Sequence, residues 1–287
     1  MTTELPGRPT PLGLRFLMAK DIAAFLGLWL QERSLLKGKA AETFDTYYGS
    51  FRRSFPARMQ RFYRRQIAEA ESMVRPGGRV LEIGCGLGTE SLWLAMRGAH
   101  VIAIDVREDR LTGARERAAV LQREINRDLF CHFAARSVLE LPEHGTFDLI
   151  WMEQTFHHLE PRADVVRKVA SLLAPGGHLV ISEANAWNLP LQAQLLLRRG
   201  LPRVEQLKRD DGTSVPYGVE RITTAAAIRE AFAHQGVECQ SVRYFRMFPN
   251  HPAFDVLSGV EAAPSLAGIA PLFTHFNYVG ARRPQVA

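Results

Sequence analysis

The rhythm of apolar positions changes at about residue 78. Upstream it is helical. Phe16, Ala19, Ala23, Leu26 and Leu30 recur at spacings of three and four, which predicts one helical stretch over 12–39. Met59, Phe62, Tyr63, Ile67 and Ala70 do the same among Arg and Gln over 57–74, and Pro76-Gly77-Gly78 closes that helix. Downstream, short apolar runs alternate with helical stretches. Strands are predicted at 79–83, 100–104, 130–134, 147–152 and 178–182. One helix passes through Leu92 and Met96 and stops at Gly98; others span 107–123 and 161–173. That alternation means a parallel sheet covered on both faces. Residues 184–220 interrupt it. Asn185, Trp187, Asn188 and Pro190 open the segment, 189–197 is apolar, and Arg198, Arg199, Arg203, Lys208 and Arg209 follow. The segment reads as an insertion over the sheet. A helix over 223–234, a strand over 237–245 and a strand-like run over 273–280 resume the pattern. The first ten residues, rich in Pro and Thr, read as a loose start.

Composition narrows the class. The chain has 287 residues, 46% hydrophobic and 23% charged. That suffices for a sizeable core and excludes a disordered chain, a collagen and a coiled coil. Cys85, Cys131 and Cys239 lie too far apart for a CxxC pair or a disulfide framework, and reduced thiols suit a cytoplasmic compartment. The apolar run at 16–30 contains Lys20 and Asp21 and is too short for a membrane span. It lacks the frame of a signal peptide, so a soluble protein is expected. The net charge of +6 is an N-terminal feature: residues 1–65 hold twelve Lys/Arg against five Asp/Glu, and the remainder is near balance. Arg52, Arg53, Arg58, Arg61, Arg64 and Arg65 are its densest part. Such a patch either steers an anionic partner (a phosphorylated substrate, acidic lipid or nucleic acid) or is a solvated helix face.

The sharpest signal is Val80-Leu81-Glu82-Ile83-Gly84-Cys85-Gly86-Leu87-Gly88-Thr89, a strand entering a glycine-rich turn from which a helix leaves. Glycines let the backbone approach a ligand and take positive φ, and the helix N-terminus presents N–H groups to it. Asp105 ends the next strand, where a carboxylate accepts hydrogen bonds from ribose hydroxyls. A nucleoside is therefore expected in the crevice. The dinucleotide fingerprint G-x-G-x-x-G fails in both registers, ending on Thr89 or Ser91. Glu82, just before the turn, suits the sulfonium end of a ligand and would repel a pyrophosphate.

At these residues the chain resembles the class I S-adenosylmethionine-dependent methyltransferases, over about 56–185 and more loosely over the last fifty residues. Glu82, Gly84, Gly86 and Gly88 match the family's E-x-G-x-G-x-G motif, and Asp105 matches its acidic residue after strand two. Phe147-Asp148-Leu149-Ile150-Trp151, followed by Thr155-Phe156-His157-His158-Leu159, matches its fourth-strand motif. Leu173-Ala174-Pro175-Gly176-Gly177 matches its L-x-P-G-G turn. Where the family often places an Asp against the adenine amine, this chain has Ser137-Val138; the serine hydroxyl or the Val138 backbone stands in. The resemblance implies a doubly wound, mostly parallel α/β sheet of seven strands, Rossmann-like, with the last strand antiparallel. It divides the chain into an N-terminal helical extension or lid (1–55), a cofactor-binding core (56–183), a helical insertion serving as substrate lid (184–222) and the C-terminal part of the core sheet (223–287). It implies S-adenosyl-L-methionine as cofactor, S-adenosyl-L-homocysteine as product, and SN2 transfer of a methyl group, which is mostly a matter of alignment. The cofactor is expected on Glu82, Gly84, Cys85, Gly86, Gly88, Asp105, Val106, Ser137 and Val138.

Other residues carry two readings each. His157, after strand four, is the first choice for a general base, because imidazole titrates in the useful range. The alternative is that His157 and His158 only form a turn, one ring packed and one solvated. Glu153 either holds the ligand's amino group, acts as a base, or favours a helix N-terminus. Glu183 and Asn185 end strand five, where they bind acceptor or cap the insertion. Trp187, Tyr217, Tyr47 and Tyr48 form an aromatic wall around an apolar acceptor or a cation, or simply pack, and His158 is placed with them among the substrate-binding residues. Cys85 reads as a small filler within the turn. No cluster has metal-ligand spacing.

The favoured function is methyl transfer to a small, hydrophobic, natural-product or lipid-like acceptor. An RNA or protein methyltransferase using the basic N-terminal region is the second reading, although no RNA-binding module is recognisable and no stable nucleic-acid complex is expected. A non-catalytic nucleoside-binding protein is the third. The N-terminal helices either make a homodimer or close over their own subunit.

Overall fold

A computed structural model describes residues 8–142, 147–248 and 267–284. The expected loose start therefore lies mostly outside the described residues, as do parts of 223–287. The single helix predicted over 12–39 is corrected: it is broken into α1 (Pro11–Leu17), α2 (Ile22–Gln31) and the start of α3 (Gly38–Tyr47). Two local choices break it. The Asp21 side chain caps α2 by accepting the Ala24 N–H at 2.8 Å, and Gly38 takes φ +50° at the start of α3. The stripe nevertheless stays on one side, because Phe16, Phe25, Leu26 and Trp29 are all fully buried. Helices α4 (Gly49–Arg53) and α5 (Ala57–Met73) lead into the sheet.

The sheet and its helices follow the predicted alternation. In chain order come β1 (Arg79–Ile83), α6 (Thr89–Met96), β2 (His100–Asp105), α7 (Glu108–Ile125), β3 (Cys131–Ala135), β4 (Phe147–Glu153), α8 (Arg162–Leu172) and β5 (Leu173–Ala184). After an interruption, α10 (Ala225–Ala233), β8 (Val237–Phe245) and β9 (His275–Arg282) complete it. The strand order is β3-β2-β1-β4-β5-β9-β8, and β9 runs antiparallel to both of its neighbours. This is the doubly wound, mostly parallel seven-stranded sheet that the family resemblance implies. Alternation along each strand sends side chains to two cores. Val80, Val101, Leu149 and Val180 meet the N-terminal helices, α6 and α7; Leu81, Ile104, Ile150 and Ile181 meet α8 and α10.

The insertion is only partly helical, which corrects the expectation. Helix α9 (Leu189–Arg199) is followed by a two-stranded hairpin of β6 (Arg203–Lys208) and β7 (Ser214–Val219). The basic N-terminal region is largely paired. Arg15 meets Glu32, Arg52 meets Asp45 and Arg64 meets Asp21, while Arg58 is buried. Among the described residues no helix is long and apolar enough to cross a membrane.

Candidate functional site

Strand order reverses between β1 and β4, and a cavity of about 390 Å³ opens at the carboxyl ends of these strands. Open α/β sheets bind ligands at such a reversal. Gly84 after β1, Asp105 at the end of β2 and Glu153 at the end of β4 all line it. Val106, Ser137 and Val138 line it too, as do Tyr47, His158 and Tyr217.

The glycine turn needs its glycines. Gly84, Gly86 and Gly88 take φ of +78°, +52° and +67°, and a Cβ on Gly84 would strike the Thr155 side chain. Asp105 is fixed from both sides: Oδ2 accepts the Gly86 N–H at 3.0 Å and Oδ1 the Arg107 N–H at 2.9 Å. Burial raises its pKa, while Arg110 and these amides pull the other way. A carboxylate so held keeps lone pairs for further donors. Behind the turn lies Arg117, fully buried, whose Nη1 donates to the Leu87 carbonyl and to Thr89 Oγ1, both at 2.7 Å. Its guanidinium sits over Trp29 and Phe44 at 4.6 and 5.3 Å, so one cation ties the N-terminal helices to the glycine turn.

Three carboxyls stand close together here: Glu82 and Glu90 are buried, and Glu153 is half-buried on the cavity wall. Glu82 accepts from Ser91 Oγ, Glu90 from the Tyr63 hydroxyl, and Glu153 from Gln66 Nε2 at 2.6 Å. Burial raises the pKa of each above the usual carboxylate range. For Glu153, Glu90 and Glu183 add to the effect of burial and push it to about 8.

The two histidines are differentiated by their partners. His157 is buried, with Nδ1 on Glu183 Oε2 at 2.8 Å. Burial opposes its charge, but Glu183 prevails and raises its pKa; Glu183, in turn, is lowered by His157 despite burial. His158 lines the cavity, stacked on Tyr217 at 4.4 Å. Its Nδ1 lies 2.7 Å from the Gly218 carbonyl, which can only accept, so Nδ1 carries the proton and Nε2 is left as an acceptor. Burial first, then His157, lowers the His158 pKa to about 4.

Several expected residues stand elsewhere. His157 does not line the cavity; the neighbouring ring does, because the short helical turn at 156–158 buries His157 against β5. Glu82, Cys85, Gly86 and Gly88 sit behind the lining. Of the four aromatics expected to form a wall, Tyr47 and Tyr217 line the cavity and the other two do not. Tyr48 is buried with its hydroxyl on Thr89 at 2.6 Å, and Trp187 is 54% exposed away from the cavity. Asn185 and Glu183 are also off the lining; Asn185 Nδ2 donates to the Ala270 and Phe273 carbonyls, so it anchors the chain after β5. The Ser137 hydroxyl accepts the Leu139 N–H at 3.3 Å, in a capping box with Glu140.

A family model described as a methyltransferase domain matches residues 55–242. The chain belongs to this methyltransferase-domain family. The chain is 36% identical over 113 residues to the ubiquinone biosynthesis O-methyltransferase of Marinobacter nauticus, covering 38% of this chain and 45% of that one. It is 32% identical over 184 residues to the erythromycin 3''-O-methyltransferase of Saccharopolyspora erythraea, covering 62% and 57%. The chain thus spans about half the length of these curated relatives. A SAM-dependent methyltransferase structure from Methanosarcina mazei superposes with a TM-score of 0.54 at 17% identity, over 76% of this chain and 98% of that one, which shows the shared fold.

The fold also brings to the cavity residues that sequence reasoning missed. Arg107, Arg110 and Arg136 line it, and Arg107 and Arg110 could have been read from their place in the first turn after Asp105. Leu207, Val215 and Pro216 come from the hairpin. Its signal was Asp211-Gly212, a turn pair between Leu207 and Val215, with Gly212 at φ +83°.

Proposed function

We propose that the protein transfers a methyl group from S-adenosyl-L-methionine to a hydroxyl of a small hydrophobic acceptor. The observation that carries this reading is one cavity holding both a fixed Asp105 carboxylate and a His158 ring whose proton is committed to Gly218. The donor set fits the cofactor. Asp105 has lone pairs left for ribose hydroxyls, Val106 and Val138 offer apolar surface, and a cationic ligand favours the charged form of Glu153 on the cavity wall. When bound, S-adenosyl-L-methionine supplies an electrophilic methyl group. The chain's own residues do the rest. The hairpin and Leu159 present apolar surface that favours a hydrophobic acceptor and excludes water. His158 Nε2 receives the acceptor's hydroxyl proton. Held near 4, it is a weak base, so it suits an acidic phenolic or enolic hydroxyl better than an aliphatic alcohol. The names of the two curated relatives, both O-methyltransferases, support oxygen as the methylated atom.

Calorimetric titration with S-adenosyl-L-homocysteine, with NAD as control, tests the cofactor. Asp105→Ala is expected to weaken binding by roughly ten- to a hundredfold, the worth of hydrogen bonds to a charged group. A panel of phenols and enols tests the acceptor. His158→Ala is expected to lower kcat by about 10²- to 10⁴-fold while leaving S-adenosyl-L-homocysteine affinity unchanged. Full activity in that variant removes His158 as the base. Labelling of macromolecules alone removes the small acceptor.

A further inference from the structure

Helix α9 has no buried residue anywhere along its length, although it contains five leucines. Leu189, Leu196 and Leu197 are 73%, 48% and 87% exposed, and Trp187, Leu201 and Val204 beside them are exposed as well. The helix is nevertheless firmly held. Asn188 caps it by accepting the Leu191 N–H at 2.9 Å and donates to the Pro271 carbonyl at 2.9 Å. Large apolar side chains left exposed together on one short segment mark a contact site. The bound acceptor does not cover it, because no α9 residue lines the cavity.

Charge identifies the occupant. Residues 184–204 contain Arg198, Arg199 and Arg203 and no Asp or Glu. Arg199 and Arg203 reach Glu220 and Glu205, which lie beyond the segment, at 3.6 and 2.6 Å. We infer that α9 and its flanks dock on an anionic lipid surface, with the leucines and Trp187 among the acyl chains and the arginines at the headgroups. A second copy fits less well, since a twofold contact would set arginines against arginines with no carboxylate on the segment to receive them. A protein groove takes one stripe of side chains, whereas Leu196 and Leu197 lie about 100° apart around the helix. A fluid bilayer accepts side chains over that whole arc, and arginine reaches back to the headgroups. The inference is independent of which acceptor is methylated.

Purified full-length protein is mixed with phosphatidylcholine vesicles or with vesicles half phosphatidylglycerol, and both sedimentation and tryptophan emission are read. Of the four tryptophans, Trp29, Trp93 and Trp151 are buried, so a blue shift reports Trp187. Binding at least about tenfold tighter to the anionic vesicles is expected, weakened by about 0.5 M salt and accompanied by a blue shift. The double variant Leu196→Glu/Leu197→Glu is expected to lose binding by more than about tenfold, since each leucine would otherwise be buried. Its unchanged S-adenosyl-L-homocysteine titration would show an intact fold. Trp187→Phe is expected to lose the blue shift and still sediment. The inference is overturned by absent binding, by equal binding to neutral vesicles, or by full binding of the double variant. A dimer that the double variant dissociates, with no vesicle binding, assigns the face to a second copy instead.

Discussion

The N-terminal helices α1–α3 and the segment from α9 to β7 are both additions to the sheet and its crossover helices. Both mix apolar side chains with arginine, yet they meet different fates. In the first, Phe16, Phe25, Trp29 and Phe44 are completely buried, with Phe16 and Phe25 packed around Trp29 at ring distances of 5.1 and 6.4 Å. In the second, α9 buries nothing, and the hairpin touches the body of the protein through Leu207, Val215 and Tyr217 over the cavity, the Gly218 carbonyl on His158 and Arg209 on Glu140. The difference lies in what each stripe finds. The N-terminal stripe finds α6, α7 and the buried Arg117 cation, whereas Leu189, Leu196 and Leu197 of α9 stay exposed. An amphipathic pattern therefore says that a face will be covered, and leaves open by what.

That contrast can be broken most sharply at Trp29. Trp29→Ala removes the ring from both the aromatic cluster and Arg117, and is expected to cost about 3–5 kcal/mol in denaturant unfolding. A cost near zero would mean that the N-terminal helices are as loosely attached as α9. Glu153 sharpens the comparison next, because Gln66 of α5 holds it in place. Its folded pKa, about 8, lies above that of an unfolded glutamate, so the folded protein binds the extra proton. The resulting stabilisation is full below the unfolded pKa and is lost as pH rises through 8. Ligand-free Glu153→Gln should escape that loss, gaining on the parent by on the order of 2 kcal/mol between pH 6 and pH 8. Parallel melting curves at the two pH values would refute the assignment. A smaller effect is expected at Arg209, whose Nη2 meets Glu140 at 2.8 Å and ties the hairpin to the edge of the cavity. Arg209→Ala should cost less than about 1 kcal/mol of stability but weaken S-adenosyl-L-homocysteine binding severalfold. Unchanged affinity would show that the hairpin does not need this tie. The smallest change belongs to Leu197→Ser, which should alter monomer stability by less than about 0.5 kcal/mol. A larger loss would mean that α9 packs on its own chain.

The site was legible where chemistry depends on neighbours in sequence. The glycine turn needs three residues at positive φ, and only glycine takes that conformation at little cost, so Gly84, Gly86 and Gly88 announce it. Asp105 announces itself by ending an apolar strand. The histidines were not separable in the same way. His157 and His158 are adjacent, and their roles diverge only because Glu183 of β5 captures one and the Gly218 carbonyl of β7 the other. Those partners are 26 and 60 residues away. The hairpin was missed for a related reason, since the basic run through Lys208 and Arg209 hid the short apolar alternation on its inner face.

The sequence by itself determined the alternation of strands and helices, the glycine turn, the place of the Asp105 carboxylate at the end of β2 and the absence of a dinucleotide fingerprint. Each depends on backbone conformation or on side-chain periodicity, which are local. Tertiary structure alone decided which histidine faces the cavity, which carboxyls have their pKa raised by burial, and that one amphipathic helix is buried while another is bare. Those outcomes depend on desolvation and on partners brought from distant parts of the chain, and no local pattern encodes them.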